Sequence, residues 1–209
     1  MNKLLSMQLV NKYQLSYTAA SLRLNDTIEV INAYFDNDIE RADSIIGNGK
    51  IATGKRIRLE IQKRLENLSK EQMEFILHAD SDDAKRMVFY SICKTYQFIY
   101  DFVIEVLLPK MQRMDFLISE GEYYSFYNGK LLQHRELETI TENSQYKIKQ
   151  VLFKILEEAK VIDSTKNRML QPQFLSTELI KLIVKDNSKY LKLFFINEAD
   201  IKEYDERFN

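Results

Sequence analysis

Apolar residues recur at spacings of three and four along almost the whole chain, the period of helices that bury one stripe. One stretch is apolar on more than one face. In Ser81–Lys110, residues such as Met87, Phe89, Ile92, Tyr96, Ile99, Phe102, Val103 and Leu107 cover most of the circumference. That pattern predicts a central helix with neighbours on several sides. Ser81 is placed as its N-cap, Asp82 and Asp83 suit the dipole in its first turn, and Pro109 marks its end or a kink. The polar remainder, Lys94, Gln97, Asp101 and Glu105, forms a narrow stripe.

The same spacing predicts the helices around this rod. Residues 1–15 read as a loosely attached arm. A helix follows over Tyr17–Phe35, then a short one over Asp38–Ile46 closed by Gly47, and a third from Thr53 to Leu68 with Ile57, Ile61 and Leu65 inward. Ser69 with Gln72, and Ser119 with Glu122, are spaced as capping boxes. The helix after Pro109 resumes through Phe116, and Arg135–Ile140 is a connector. Thr141 or Asn143 caps an amphipathic helix over Ser144–Lys160. Ser176 and Asn197 cap two more, with a helix near Lys189–Phe195 between them. Val161–Gln171 departs from the pattern: two apolar pairs flank a polar turn-forming run, so it is a short β-hairpin or an irregular loop.

Composition fits this reading. Only 5 glycines and 2 prolines occur in 209 residues, which starves sheets of turns. The expected fold is all-α: one compact multi-helix domain over 1–209, with a candidate lobe boundary near 117–120 separating 16–118 from 119–209. Cys93 is the single cysteine, so no internal disulfide is expected and a reducing cytoplasm is the natural location. The central helix has no charge-free run beyond Met87–Cys93, against the ~20 residues a membrane span needs. The run LLSMQLV near the start lacks a small-residue cleavage site, so no signal peptide is expected. The chain is expected to be a monomer.

The net charge of −1 hides an uneven distribution. Lys50–Arg64 holds six basic residues and one acid, and Lys147–Lys192 holds ten basic residues and five acids. The tail Glu198–Glu206 reverses the sign. Catalytic patterns are weak beside this. Gly49–Lys55 spells G-x-x-x-x-G-K, but Arg56 stands where a P-loop needs Ser or Thr for Mg²⁺, and no strand precedes it. Asp101 and Glu105 lie one turn apart without a histidine pair to complete a metal site, and are read as partners of Lys or Arg across a helix contact. His78 and His134 are read as surface or capping groups, and Cys93 as a small core residue. The tyrosines and phenylalanines are read as packing. No cofactor, metal or catalytic residue is expected.

The basic segments carry the functional expectation. Helix, glycine turn, basic helix is the layout of a helix-turn-helix, with Lys50 in the turn and Lys55, Arg56, Arg58 and Lys63 displayed on the second helix. The helix Ser144–Lys160 turns Lys147, Gln150 and Lys154 away from its apolar face, and the following turn carries Lys166 and Arg168, as a winged helix would. These ten residues are the candidate DNA contacts. Two rival readings remain: a protein–protein adaptor docking through its basic faces, and an RNA-binding helical module.

Taken in order, YTAASL, TGKRIRLEIQKRLENLS, ICKTYQFIYDFVIEVL, HRELETITENSQYKIKQVLFKILEEAKVID and LSTELIKLI resemble the BrxA family of bacteriophage exclusion (BREX) defence systems. The resemblance covers roughly Tyr17–Phe195. One departure is Lys160, where an A-G-L-I-like helix end would carry glycine. The resemblance implies a small all-helical protein with two helix-turn-helix-like elements, binding double-stranded DNA without catalytic activity. It further implies partners among the other BREX components, a DNA methyltransferase and ATPases.

Overall fold

The structure, a computed structural model, describes residues 12–209. From a 3₁₀ turn at Ser16–Ala19 the chain runs through α1 (Leu24–Asp36), α2 (Ile39–Ile46), α3 (Ile51–Leu65), α4 (Lys70–His78), α5 (Ser81–Thr95) and α6 (Gln97–Phe102). A π segment at Val103–Leu107 leads into α7 (Leu108–Gln112), followed by α8 (Glu120–Leu131), α9 (Glu142–Glu158), α10 (Thr177–Asn187) and α11 (Glu198–Phe208). Further 3₁₀ turns cover Arg135–Leu137 and Ser188–Phe194. The fold is all-α, with no sheet among the described residues.

The caps explain most boundaries. Ser69–Gln72 and Ser119–Glu122 both close as reciprocal capping boxes, and Thr141, Ser176 and Asn197 each accept a backbone N–H in the first turn of α9, α10 and α11. At the start of α5 the cap is Asp80, one residue before the expected Ser81, because its carboxylate reaches the N–H groups of Asp82 and Asp83. The C-terminus of α9 is a Schellman turn: Val161 N–H bonds Leu156 C=O at 2.8 Å and Lys160 N–H bonds Glu157 C=O at 3.0 Å. Lys160 therefore sits at φ +57°, the left-handed conformation that suits glycine.

The expected central rod is two helices. Tyr96, at φ −118° and ψ 94°, ends α5 and starts α6. Its ring is fully buried and its hydroxyl donates to the buried Glu60 carboxylate of α3, a long-range contact that fixes the break. Pro109 does not end the helix at once. It lies in the first turn of α7, two residues after the π segment, and Leu108 N–H reaches back five residues to Val103 C=O. The wider turn adapts the ladder to a residue that has no N–H and crowds the preceding turn. The core lies along this broken rod: Phe89, Tyr90, Ile92, Phe98, Ile99, Phe102 and Val103 are each wholly buried.

Three further expectations, on the N-terminal arm, His134 and Tyr17–Phe35, are corrected, and the alternative left open at Val161–Gln171 is decided. The N-terminal arm lies outside the described residues over 1–11, but 12–15 are not loosely attached. Tyr13 is buried, stacks on His134 at 3.6 Å, donates its hydroxyl to Asp101 at 2.5 Å and its N–H to Glu136 at 2.7 Å. His134 is accordingly buried too, with Nδ1 3.0 Å from Glu136. Tyr17–Phe35 is not one helix, since the 3₁₀ turn and an extended step at Ala20 precede α1. Val161–Gln171 forms an irregular loop closed by isolated antiparallel bridges, Ile162 to Leu170 and Leu117 to Met169, without strands.

The polar stripe is an anchor, although not for α3. Lys130 of α8 bonds Asp101 at 2.9 Å and Glu105 at 2.5 Å, and Lys94 bonds Asp186 and the carbonyl of Asn67. Arg58 and Arg64 of α3 do not meet the stripe: Arg58 goes to Asp43 and Arg64 to the carbonyls of Ala20 and Ser21.

Candidate nucleic-acid interface

The first basic segment is shaped by how tightly α2 and α3 cross. A Cβ on Gly54 would lie 1.8 Å from the Asp43 carbonyl oxygen, and Gly49 turns the chain between the helices at φ +82°. A packing demand at Gly54 and a left-handed backbone at Gly49 account for both glycines of the P-loop-like spacing. The close crossing also draws Arg58 inward. Its Nε lies 2.6 Å from Asp43 Oδ1, Nη2 3.2 Å from Oδ2, and Nη1 2.8 Å from Gln62 Oε1. With both side chains buried, Arg58 is a structural ion pair and leaves the exposed set to which its charge assigned it.

What α3 shows to solvent is a stripe of Ala52, Lys55, Arg56, Leu59 and Lys63, with Lys50 at the preceding cap. Among the described residues Lys50, Lys55 and Arg56 have no ion-pair partner. Lys63 pairs with Glu60 at 3.2 Å and approaches the Ser16 hydroxyl at 3.4 Å. Its position at the 3₁₀ turn matters, because the second segment meets the same turn from the other helix.

There, Thr18–Ser21 and α9 border an open groove of about 600 Å³. Lys147, Gln150 and Lys154 line it from α9, and Arg168 from the bridged loop. The structure thus brings together four of the ten candidate contacts. It adds two that the sequence reading missed, Arg23 and Lys149, while Glu120 is the single acid in the lining. Lys166 is exposed at the tip of the loop, outside the lining.

The groove's cations differ in freedom. Lys147 meets only Gln150, at 2.9 Å, and has no ion pair among the described residues. Lys154 bonds Glu157 at 2.6 Å, which holds the lysine pKa up and the carboxyl below its ordinary range. Arg168, at φ +58°, lies 4.6 Å over the Phe153 ring and bonds Glu120 at 3.0 Å. Lys149 is buried between Tyr124 and Glu120. Burial pulls its pKa down, but the hydrogen bonds to Tyr124 and Glu120 outweigh it and the ammonium is retained. The Arg168 hydrogen bond, then Lys149, lower the Glu120 carboxyl from its ordinary value. Arg23, at φ +53°, turns its guanidinium to Asp26.

Such a groove offers several fixed cations and one amide to a ligand with spaced negative charges. Among the described residues, no group of three or more His, Cys, Asp or Glu is placed to hold a metal ion, and no helix is long and apolar enough to cross a membrane. Asp101 and Glu105 are engaged by Lys130, and Cys93 is buried in the core.

A family model described as BrxA matches residues 11–187. A protein of Bacillus cereus (strain H3081.97) named "BREX protein BrxA" is 28% identical over 130 residues, 62% of this chain and 65% of the relative. A protein of the same name from Escherichia coli O9:H4 (strain HS) is 25% identical over 126 residues, 60% of this chain and 59% of the relative. The matched regions therefore span less than two thirds of these relatives. A crystal structure of an uncharacterized protein from Magnetospirillum magneticum shares the fold, with a TM-score of 0.75 and 17% identity over 88% of this chain and 98% of that one.

Proposed function

Since the chain belongs to the BrxA family, we propose that it is a non-enzymatic component of a BREX phage-defence system that binds double-stranded DNA in a reducing cytoplasm. The observation that carries this reading is the groove between α9 and the 3₁₀ turn, where Arg23, Lys147, Lys149, Lys154 and Arg168 face a single lining acid. Lysines and arginines on one concave surface neutralise phosphates, and that contact dominates affinity for duplexes of any sequence. On the other side of the same turn, Lys63 extends the basic surface toward Arg56 and Lys55 on α3. The pair α2–α3, with its short glycine turn, has the layout of a helix-turn-helix whose second helix presents Lys55 and Arg56 near its N-terminus.

Gel-shift titration at two salt concentrations tests the proposal. With about five phosphates neutralised, the log–log salt slope is roughly −4 to −5. A flat salt response, or no shift at low salt, contradicts it. Structured RNA competing as well as duplex DNA would redirect the reading to RNA.

A second reading has its own observation. Ile45, Ile51 and Leu59 are exposed on α2 and α3 beside the basic stripe, as at a protein-docking face. Pull-down of co-encoded BREX subunits after nuclease treatment separates the two, since an association bridged by DNA is lost and a direct one persists.

A further inference from the structure

Beside the cationic groove lies a second, smaller cleft between α8 and α9, of about 300 Å³, and the two share Tyr146 and Lys149. Its lining is four tyrosines, 123, 124, 127 and 146, with Lys149, Gln145 and Glu142. Tyr123 and Tyr127 are buried, whereas Tyr124 and Tyr146 are exposed by 46% and 62%. The Lys149 ammonium lies 4.8 Å from the Tyr124 ring centre and 5.8 Å from that of Tyr146. The Tyr123 hydroxyl is buried and has no hydrogen-bond partner among the described residues. A buried polar group without a partner calls for a ligand, a water or a functional explanation. The carbonyl oxygen of Gln145 is also open, since only its amide nitrogen is engaged, by Ile140 C=O at 3.1 Å.

We propose that this cleft receives one unpaired or extruded nucleobase of a DNA strand whose phosphates lie in the adjoining cationic groove. The proposal rests on the DNA-binding reading and adds a site to it. Its volume is at the bottom of the range of about 300–1,000 Å³ typical of small-molecule sites, which suits a single planar base. Exposed tyrosine rings offer stacking faces that tolerate any base. Glu142 and Gln145 place acceptors at the rim, and Tyr123 packs beneath them with its buried, unpartnered hydroxyl. These groups favour a base bearing an exocyclic amino group. Lys149, shared by the two cavities, ties the base position to the phosphate positions. A base already unpaired enters without the cost of breaking a pair, so a bulged duplex is the preferred partner.

The test uses the full chain and three probes at one salt concentration: a duplex with a single bulged 2-aminopurine, the same duplex fully paired, and 2-aminopurine mononucleotide. The expected result is about tenfold tighter binding of the bulged duplex, with quenched 2-aminopurine fluorescence, and no comparable binding of the mononucleotide. Tyr124→Ala should erase the preference, and Tyr123→Phe, which keeps the ring, should reduce it. Equal affinity for both duplexes with unquenched fluorescence overturns the base site while leaving salt-dependent duplex binding intact. Equal quenching of the free mononucleotide overturns the strand-borne ligand. Loss of all duplex binding at low salt removes the DNA reading itself.

Discussion

Arg56 and Arg58 stand two positions apart and carry the same charge, yet the structure gives them opposite roles. Arg56 is exposed, whereas Arg58 is held by Asp43 with both side chains 8% exposed. Arg58→Ala should leave the buried Asp43 carboxylate uncompensated and cost about 3–5 kcal/mol. Urea denaturation should show this as a lower midpoint, while Arg56→Ala leaves the midpoint nearly unchanged. Lys160 makes a subtler case. Its left-handed backbone costs roughly 1–2 kcal/mol, and its ion pair with Asp82 is exposed and worth roughly 0.2–1 kcal/mol. Lys160→Gly should therefore stabilise by roughly 0.5 kcal/mol after the greater freedom of glycine in the unfolded chain is counted. Lys160→Ala, which loses the pair and keeps the strain, should destabilise. The contrast between the two midpoints is the readout.

At the scale of elements, α2 and α3 owe their geometry to Gly54. A methyl there meets the Asp43 carbonyl, and the helices must part. Gly54→Ala should cost about 1–3 kcal/mol or more by overpacking, seen as a lower thermal midpoint, although alanine is the better helix former. The sequence reading could not reach this, because Gly54 looked like part of a phosphate-loop pattern and its true neighbour is in another helix. The same limit separates what was legible from what was not. Capping boxes and helix periods are local, so Ser69, Ser119, Ser176 and Asn197 were readable as starts. The break at Tyr96 depends on Glu60, 36 residues away, and no local signal marks it. Among the candidate contacts, Lys147, Gln150 and Lys154 follow from the helical period of α9. Arg58 did not, because the face it occupies becomes inner only once α2 packs there. Arg23 and Lys149 were missed for the converse reason: one lies at the left-handed cap of α1, in a stretch read as helix, the other beside the apolar stripe on the face turned to α8.

For the whole molecule, several tyrosine hydroxyls are buried in the core, and this gives stability a basic limit. Burial, offset by Arg64 and reinforced by Glu60, pushes Tyr96 from 10.0 up to about 12. Tyr13, Tyr90 and Tyr123 are raised also, chiefly by burial. The folded state holds these protons more tightly than the unfolded chain. The linked stability is therefore fully present below pH 10 and is lost as pH rises through 12. Urea midpoints measured against pH should fall steeply above about pH 10, and Tyr96→Phe should flatten part of that fall. On the acid side, Lys110 lowers Asp115 through a hydrogen bond, and Glu122 is lowered despite the opposing effect of burial. Their contribution is present above the ordinary carboxylate range and is lost as pH falls below it.

The two basic segments meet the same 3₁₀ turn, α3 through Lys63 at Ser16 and α9 through the groove bordered by Thr18–Ser21. The direct test is the salt dependence of duplex binding for the unaltered chain and for a chain with Lys147→Ala, Lys154→Ala and Arg168→Ala together. Each phosphate contact removed should reduce the slope by about one, so the variant should bind more weakly at low salt with a log–log slope roughly three units shallower. An unchanged slope and affinity in a variant that keeps its fold would contradict the groove as the DNA-binding surface.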